Sequence, residues 1–354
     1  GSTTGRSSET PSVSGPMVFG LVLTGAEFSF VCHSWDTYRH KTLARPGNCF
    51  SSASDLSAGR LWRNCVSDSR LATRLCGIEL RNPVLAASGT FAYGVEMAEV
   101  VDLEAIGGIV VKGLSREAMA GNRAPRLWET ESGMMNSVGL QNIGVRAFVA
   151  EKLPGLRRFR TPVFANVFGY AVEDYVEVVR VLEDAEGLAA YELNVSCPNT
   201  KHGGIFFSND PGLLSEVVSA VRKVAKRPVL VKLSPNVTAI GPLAKVAEES
   251  GADALSLINT FVALAIDART RTTRIANGYG GLSGPAIKPI ALRLVYEAWK
   301  AVKIPIVGLG GVATGEDAAE FLIAGATAVQ VGTAFFGGRG DRAGGRASGY
   351  AKLS

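Results

Sequence analysis

A chain of 354 residues, 47% of them hydrophobic, allows one large domain or two ordinary ones and can bury a sizeable core. Its formal charge of +5 lies at its two ends: residues 71–335 carry 26 Lys/Arg against 26 Asp/Glu, so the basic balance is not a nucleic-acid footprint. Cys32, Cys49, Cys65, Cys76 and Cys197 have irregular spacings that imply no disulfide framework, and His33, His40 and His202 make no metal-ligand spacing, so no protein-bound metal is expected.

Residues 1–70 are rich in Ser, Gly, Thr and Arg, show no sustained period, and read as an irregular or disordered extension. The apolar run 17–31 is interrupted by Gly20, Gly25 and Glu27, too short and broken for a membrane helix. It lacks the basic start and small-residue cleavage site of a signal peptide, so a cytoplasmic setting without membrane contact is expected. From Leu71 onward, apolar runs of strand length alternate with helical patterns. Eight strands are expected at 83–87, 106–112, 163–167, 191–195, 229–233, 254–258, 304–309 and 328–332, the count of a closed (β/α)8 TIM barrel. Residues 113–150 are too long for a simple connection, and such loops are usually functional.

The helices carry start signals. Asp210-Pro211 caps a helix running through 213–224. Ser283-Gly284-Pro285 precedes an amphipathic run at 287–302. Thr314 with Asp317 opens 318–323, and Gly325 closes it. Residues 336–354 read as a glycine- and arginine-rich irregular tail whose glycines preclude a stable helix, so the barrel is expected to lack a normal eighth helix.

Barrels keep their chemistry at the C-terminal ends of their strands. Leu193-Asn194-Val195-Ser196-Cys197-Pro198-Asn199 places a thiol and two amides at the end of the fourth strand. Without a CxxC pair, Cys197 reads as an acid/base or nucleophilic group; the alternative is a small buried cysteine filling a gap. The seventh and eighth strands end in Gly308-Leu309-Gly310-Gly311 and Gln330-Val331-Gly332-Thr333, which together suit a phosphate held by backbone N–H groups, or else are ordinary tight turns. Lys112 and Lys232 end apolar strands where no Asp or Glu is expected. They either snorkel to solvent or meet an anion supplied from outside. Asn136, Asn166, Asn194, Asn199 and Asn259 recur at the same level. A mouth of amides and lysines without a carboxylate pair argues against glycoside hydrolysis and suits a planar heterocycle such as a flavin or a pyrimidine.

Residues 71–335 resemble the catalytic subunit of class 1 dihydroorotate dehydrogenases, flavin enzymes of pyrimidine (UMP) biosynthesis. The resemblance rests on Asn82–Thr90, Val111-Lys112-Gly113, Asn136–Asn142, Asn194–Asn199, Val231–Pro235, Ile258-Asn259-Thr260, Gly280–Pro289 and both glycine turns. Lys201-His202-Gly203-Gly204 and Ala265-Ile266-Asp267 point to subclass 1B, in which the barrel pairs with an FAD and [2Fe-2S] subunit and electrons pass to NAD.

The resemblance implies that Cys197 takes the C5 proton of dihydroorotate as FMN accepts hydride from C6. It implies substrate contacts from Lys112, Asn136, Ser137, Val138, Gly139, Leu140, Asn194, Asn199, Asn259 and Thr260. Ser88, Lys112, Gly113, Asn166, Asn194, Lys232, Ile258 and Gly284 would line FMN, with Gly310, Gly311, Gly332 and Thr333 at its phosphate. Lys232 would offset negative charge on the reduced ring. The implied assembly is a homodimer of barrels with two FAD/iron–sulfur subunits, a heterotetramer. Residues 1–70 have no counterpart in the family, with Met17 and Val66 as alternative starts. Two other readings remain open: a fumarate-dependent class 1A enzyme, and a truncated, non-functional remnant.

Overall fold

The computed structural model describes residues 69–195 and 205–336, and the strand backbones of 17–24 and 27–34. All eight expected barrel strands are present: β1 (Val84–Ala86), β2 (Gly108–Val110), β3 (Val163–Val167), β4 (Ala190–Asn194), β5 (Val229–Lys232), β6 (Ala254–Leu257), β7 (Ile306–Leu309) and β8 (Ala328–Val331). They pair in parallel in chain order, and β8 closes on β1 with Gln330 opposite Leu85. Strands covered on both faces read as apolar runs, which is why they were legible. The helices that cover them include α1 (Val172–Glu183), α2 (Pro211–Arg222), α3 (Ile240–Glu249), α4 (Lys288–Ala301) and α5 (Gly315–Ile323).

The caps are those expected. The Asp210 carboxylate accepts from Leu213 N at 2.9 Å, and Pro211 opens α2. Thr314 accepts from Asp317 N at 3.2 Å, while the Asp317 carboxylate accepts from Thr314 N at 2.8 Å. Gly325 ends the α5 turn at φ 108°, a conformation costly for other residues. No helix among the described residues is long and apolar enough to cross a membrane, and none of their side chains form a three-ligand metal cluster.

Inside the barrel, side chains two residues apart form two layers. The lower layer is apolar: Leu85, Val110, Phe164, Ala190, Leu230, Ala254, Val307 and Ala328 are all fully buried. A short hairpin (Thr73–Leu75 with Ile78–Leu80) closes the bottom with Leu75 and Leu80. Its turn, Cys76 at φ 50° and Gly77 at φ 83°, has the two positive φ values of a type I′ turn. The three-residue strands are too short for sequence periodicity to reveal. The Cys76 thiol donates to Asp253 O at 3.3 Å, and burial, then Asp253, pushes it up to about 12. That thiol is therefore structural and lies at the end opposite the site.

Two regions differ from expectation. Within the stretch read as irregular, Met17–Thr24 and Glu27–Ser34 pair as an antiparallel ladder. The glycines that forbid a membrane helix do not forbid paired strands, and Val, Phe and Leu favour them. The long connection after β2 contributes Leu127–Thr130 and Gly133–Asn136 to a four-stranded antiparallel sheet with Phe261–Leu264 and Tyr279–Ser283. This sheet stands over the barrel mouth. Past β8 the described chain ends in a 3-10 turn, Thr333–Phe336. The tail and the expected loss of an eighth helix lie outside the described residues.

Candidate active site

The upper layer of the barrel is polar. Asn166, Glu192, Lys232, Ser256 and Gln330 each follow a lower-layer residue by two positions, and each is at most 5% exposed. Glu192 is their centre. Its Oε1 accepts from Asn166 Nδ2 at 2.7 Å and from Lys232 Nζ at 3.4 Å. Its Oε2 accepts from Ser256 Oγ at 2.8 Å and Gln330 Nε2 at 2.6 Å. The expectation that no carboxylate stands near the strand ends is corrected here: Lys232 has an internal counter-charge. The signal was visible in the sequence, since Ala190, Glu192 and Asn194 share one face of β4. A lone Glu in an apolar strand, however, does not reveal its partners on two neighbouring and two more distant strands.

Above this layer, Lys232 Nζ donates to Ser88 Oγ at 3.5 Å at the end of β1. Gly113 lies directly over Asn166: a Cβ there would meet the Asn166 Oδ1 at 3.0 Å. Ser88, Gly113, Asn166 and Lys232, drawn from four strand ends, thus converge at the mouth. Asn194 and Asn259 are joined by a hydrogen bond of 3.1 Å, and Asn259 Oδ1 also accepts from Thr260 N at 2.9 Å. Tyr175 of α1 donates to Asn194 O at 2.9 Å, anchoring the end of β4. Ile258 N donates to Leu309 O at 3.0 Å, tying β6 to β7 at the same level.

Lys112 is half-buried past the end of β2. Burial and the Arg126 guanidinium hold its ammonium below the ordinary lysine value, against the pull of Glu96. An anion at this point would pair with the ammonium and favour it. Asn136 is placed by the sheet, opposite Gly281 and donating to Gly281 O at 3.3 Å. The following loop is built on Asn122, which sequence reasoning missed. Asn122 Nδ2 donates to Ser137 O and Ser137 Oγ, both at 3.0 Å, and Asn122 N to Val138 O at 3.0 Å. Gly139 and Leu140 then take φ 75° and 57°, with the buried Asn142 donating to Leu140 O at 2.9 Å. Ser137 is fully buried and already engaged by Asn122.

The glycine turns meet at the ends of β7 and β8, next to β1. A Cβ on Gly311 would sit 2.9 Å from Gly284 O, and one on Gly284 would meet Gly133 Cα at 2.7 Å. Gly310, Gly311 and Gly284 have φ of 125°, 87° and 91°. Thr333 Oγ1 donates to Ser283 Oγ at 2.8 Å, bringing the end of β8 to the same place. Gly332 has ordinary space around its Cα. Gly284 precedes the 3-10 turn that opens α4, and Gly311 lies close before α5, so helix N-termini border the cradle. Lys288 braces it from α4, donating to Asp317 at 2.6 Å. Burial works to raise the Asp317 pKa, but the Lys288 and backbone hydrogen bonds outweigh it and hold the carboxyl below the usual value. Cys197, Asn199 and the 201–204 motif lie outside the described residues.

A sequence profile described as Dihydroorotate dehydrogenase matches residues 70–340. A protein of Solibacter usitatus, provisionally named dihydroorotate dehydrogenase A (fumarate), is 75% identical over 267 residues, covering 75% of this chain and 88% of that protein. Relatives named dihydroorotate dehydrogenase B (NAD(+)), catalytic subunit, from Geobacter sulfurreducens and Geobacter sp. strain M21, are 56% and 53% identical over 266 residues. Each match covers 75% of this chain and 87% of the relative.

Proposed function

This chain belongs to the dihydroorotate dehydrogenase family, and from that premise we propose that it oxidises dihydroorotate to orotate in pyrimidine biosynthesis as the FMN-binding catalytic subunit of an NAD-linked enzyme. The observation that carries the reading is the convergence of Ser88, Asn166 and Lys232 beside a cradle of Gly284, Gly310 and Gly311 that excludes Cβ atoms. These residues fit FMN: amides and an ammonium for the edge of a flavin ring, and bare backbone beside helix N-termini for a phosphate. Bound there, FMN supplies the hydride acceptor.

The chain supplies the rest. Ser88, Gly113, Asn166, Lys232 and Ile258 hold the ring, and Gly284, Gly310, Gly311, Gly332 and Thr333 hold the phosphate. Lys112 binds the substrate carboxylate through its ammonium. Asn136 through Leu140, Asn194, Asn199, Asn259 and Thr260 orient the heterocycle through its amide edges. Cys197 takes the C5 proton as the C6 hydride departs, so the substrate loses one proton and one hydride. A thiol suits this work when its surroundings favour the thiolate. Electrons leave through a partner subunit carrying FAD and a [2Fe-2S] cluster, with NAD as the final acceptor. A homodimer of barrels with two such subunits is the assembly this implies.

The name of the Solibacter relative favours a second reading, in which fumarate reoxidises the flavin directly. The two share every residue above and differ only in how electrons leave. Anaerobic dihydroorotate should bleach the visible flavin absorbance of the purified chain. Reoxidation by NAD only after the FAD/iron–sulfur subunit is added supports the NAD-linked reading; reoxidation by fumarate alone replaces it with the second. A chain that takes up no flavin overturns both.

A further inference from the structure

Glu192 is a fully buried carboxylate with no place in the roles assigned above. It is also saturated: each of its oxygens accepts two hydrogen bonds, from donors on β3, β5, β6 and β8. A buried ion pair is expensive to desolvate, and replacing one with apolar residues is often neutral or stabilising. The apolar lower layer shows that this barrel can be filled without charge. Two of the four donors, Asn166 and Lys232, are the groups that face the cofactor position in the reading above.

We propose that Glu192 is a positioning residue that sets the reduction potential of the bound flavin through Lys232. The inference rests on the FMN-binding reading. A single carboxylate oxygen fixes both the Asn166 amide, at 2.7 Å, and the Lys232 ammonium, at 3.4 Å. Ser256 and Gln330 fix the other oxygen, so the carboxylate cannot turn away. Its negative charge tempers the positive charge that Lys232 presents to the ring. Reduction adds negative charge to a flavin, and charge near the ring is one of the means by which a protein tunes it. Glu192 therefore restrains how strongly the mouth favours the reduced over the oxidised cofactor.

The test is the midpoint potential of FMN bound to the full chain, measured by equilibration with reference dyes. Glu192→Gln keeps the volume and removes the charge. The bound reduced flavin should gain at least about tenfold over the oxidised form, which raises a two-electron potential by about 30 mV. The same substitution in a Lys232→Met background should leave the potential unmoved. A purely structural role would weaken both redox forms alike, so an unchanged or lowered potential in Glu192→Gln overturns the inference, as does a shift that persists without Lys232. If Glu192→Gln does not fold, Ser256→Ala serves instead: it removes one donor from Oε2, leaves more charge facing Lys232, and should lower the potential. No change there overturns the inference too. A chain that takes up FMN with a potential insensitive to these variants leaves the functional reading intact and defeats only this step; a chain that takes up none defeats both.

Discussion

The lower and upper halves of the barrel interior are built from the same strands one pleat apart. Phe164 and Asn166, Ala190 and Glu192, Leu230 and Lys232, Ala254 and Ser256, Ala328 and Gln330 are pairs separated by two residues, so both members face inward. Below, close-packed apolar side chains and the Leu75–Leu80 hairpin exclude water and fix the strands. Above, the same rigid strands present polar groups whose partners are other strands. The difference shows how the fold divides its labour: the lower layer holds the backbone still, and the upper layer uses that stillness to aim a carboxylate, an ammonium and three further polar groups with no loop involved. Positions built on strands are more precise than positions on loops.

That division can be broken from either side. Cys197→Ala should reduce dihydroorotate oxidation by about 10²–10⁴-fold while FMN content and melting temperature stay at wild-type levels; near-normal turnover would remove the thiol from the chemistry. In the lower layer, Phe164→Ala should cost about 3–5 kcal/mol of stability, read by denaturant melts. FMN should then be lost only with global unfolding, and a variant that sheds FMN while its fold is intact would show the layers to be one unit.

Lys112→Met separates function from stability. Losing a charge-assisted contact should weaken orotate binding about 10–100-fold. Because the folded pKa of Lys112 lies below its ordinary value of 10.5, the unfolded chain binds more protons between those two values. Its ammonium therefore costs stability at neutral pH, and the cost fades as pH climbs towards 10.5. The methionine variant should melt higher than wild type at neutral pH, with a gain that shrinks in alkali; an equal or lower melting temperature would mean that Lys112 is held by the fold.

The smallest effect belongs to the rim. Asp317→Ala removes a helix cap and the Lys288 partner, and should cost about 0.5–2 kcal/mol. The Asp317 folded pKa lies below its ordinary 3.8, so this stability is present above that value and is lost as pH falls through the folded one. The gap between variant and wild type should close in acid. A gap that persists there would assign the cost to packing.

Much of the architecture was legible from sequence because its cause is local. Parallel strands buried on both faces must be apolar runs, so all eight barrel strands could be counted. Asp210-Pro211 and the Thr314/Asp317 pair announce helix starts by chemistry acting within four residues. The paired glycine turns pointed to one cradle because positive φ and close backbone approach leave few other choices. The motifs around Lys112, Asn136, Asn194 and Asn259 carried the family resemblance, and with it the reading of the mouth.

What only the tertiary structure decided is which distant residues share a hydrogen bond. Nothing near Glu192 in sequence says that Ser256, 64 positions on, and Gln330, 138 positions on, complete its shell. The same holds for Asn122 beneath Ser137, and for the short strands Gly133–Asn136 and Tyr279–Ser283, whose pairing spans the barrel. A four-residue strand in a mixed polar stretch has no period to detect, and a buried charge is tolerable only where the closed sheet brings donors to it. Barrel closure sets those distances, and closure depends on all eight strands at once.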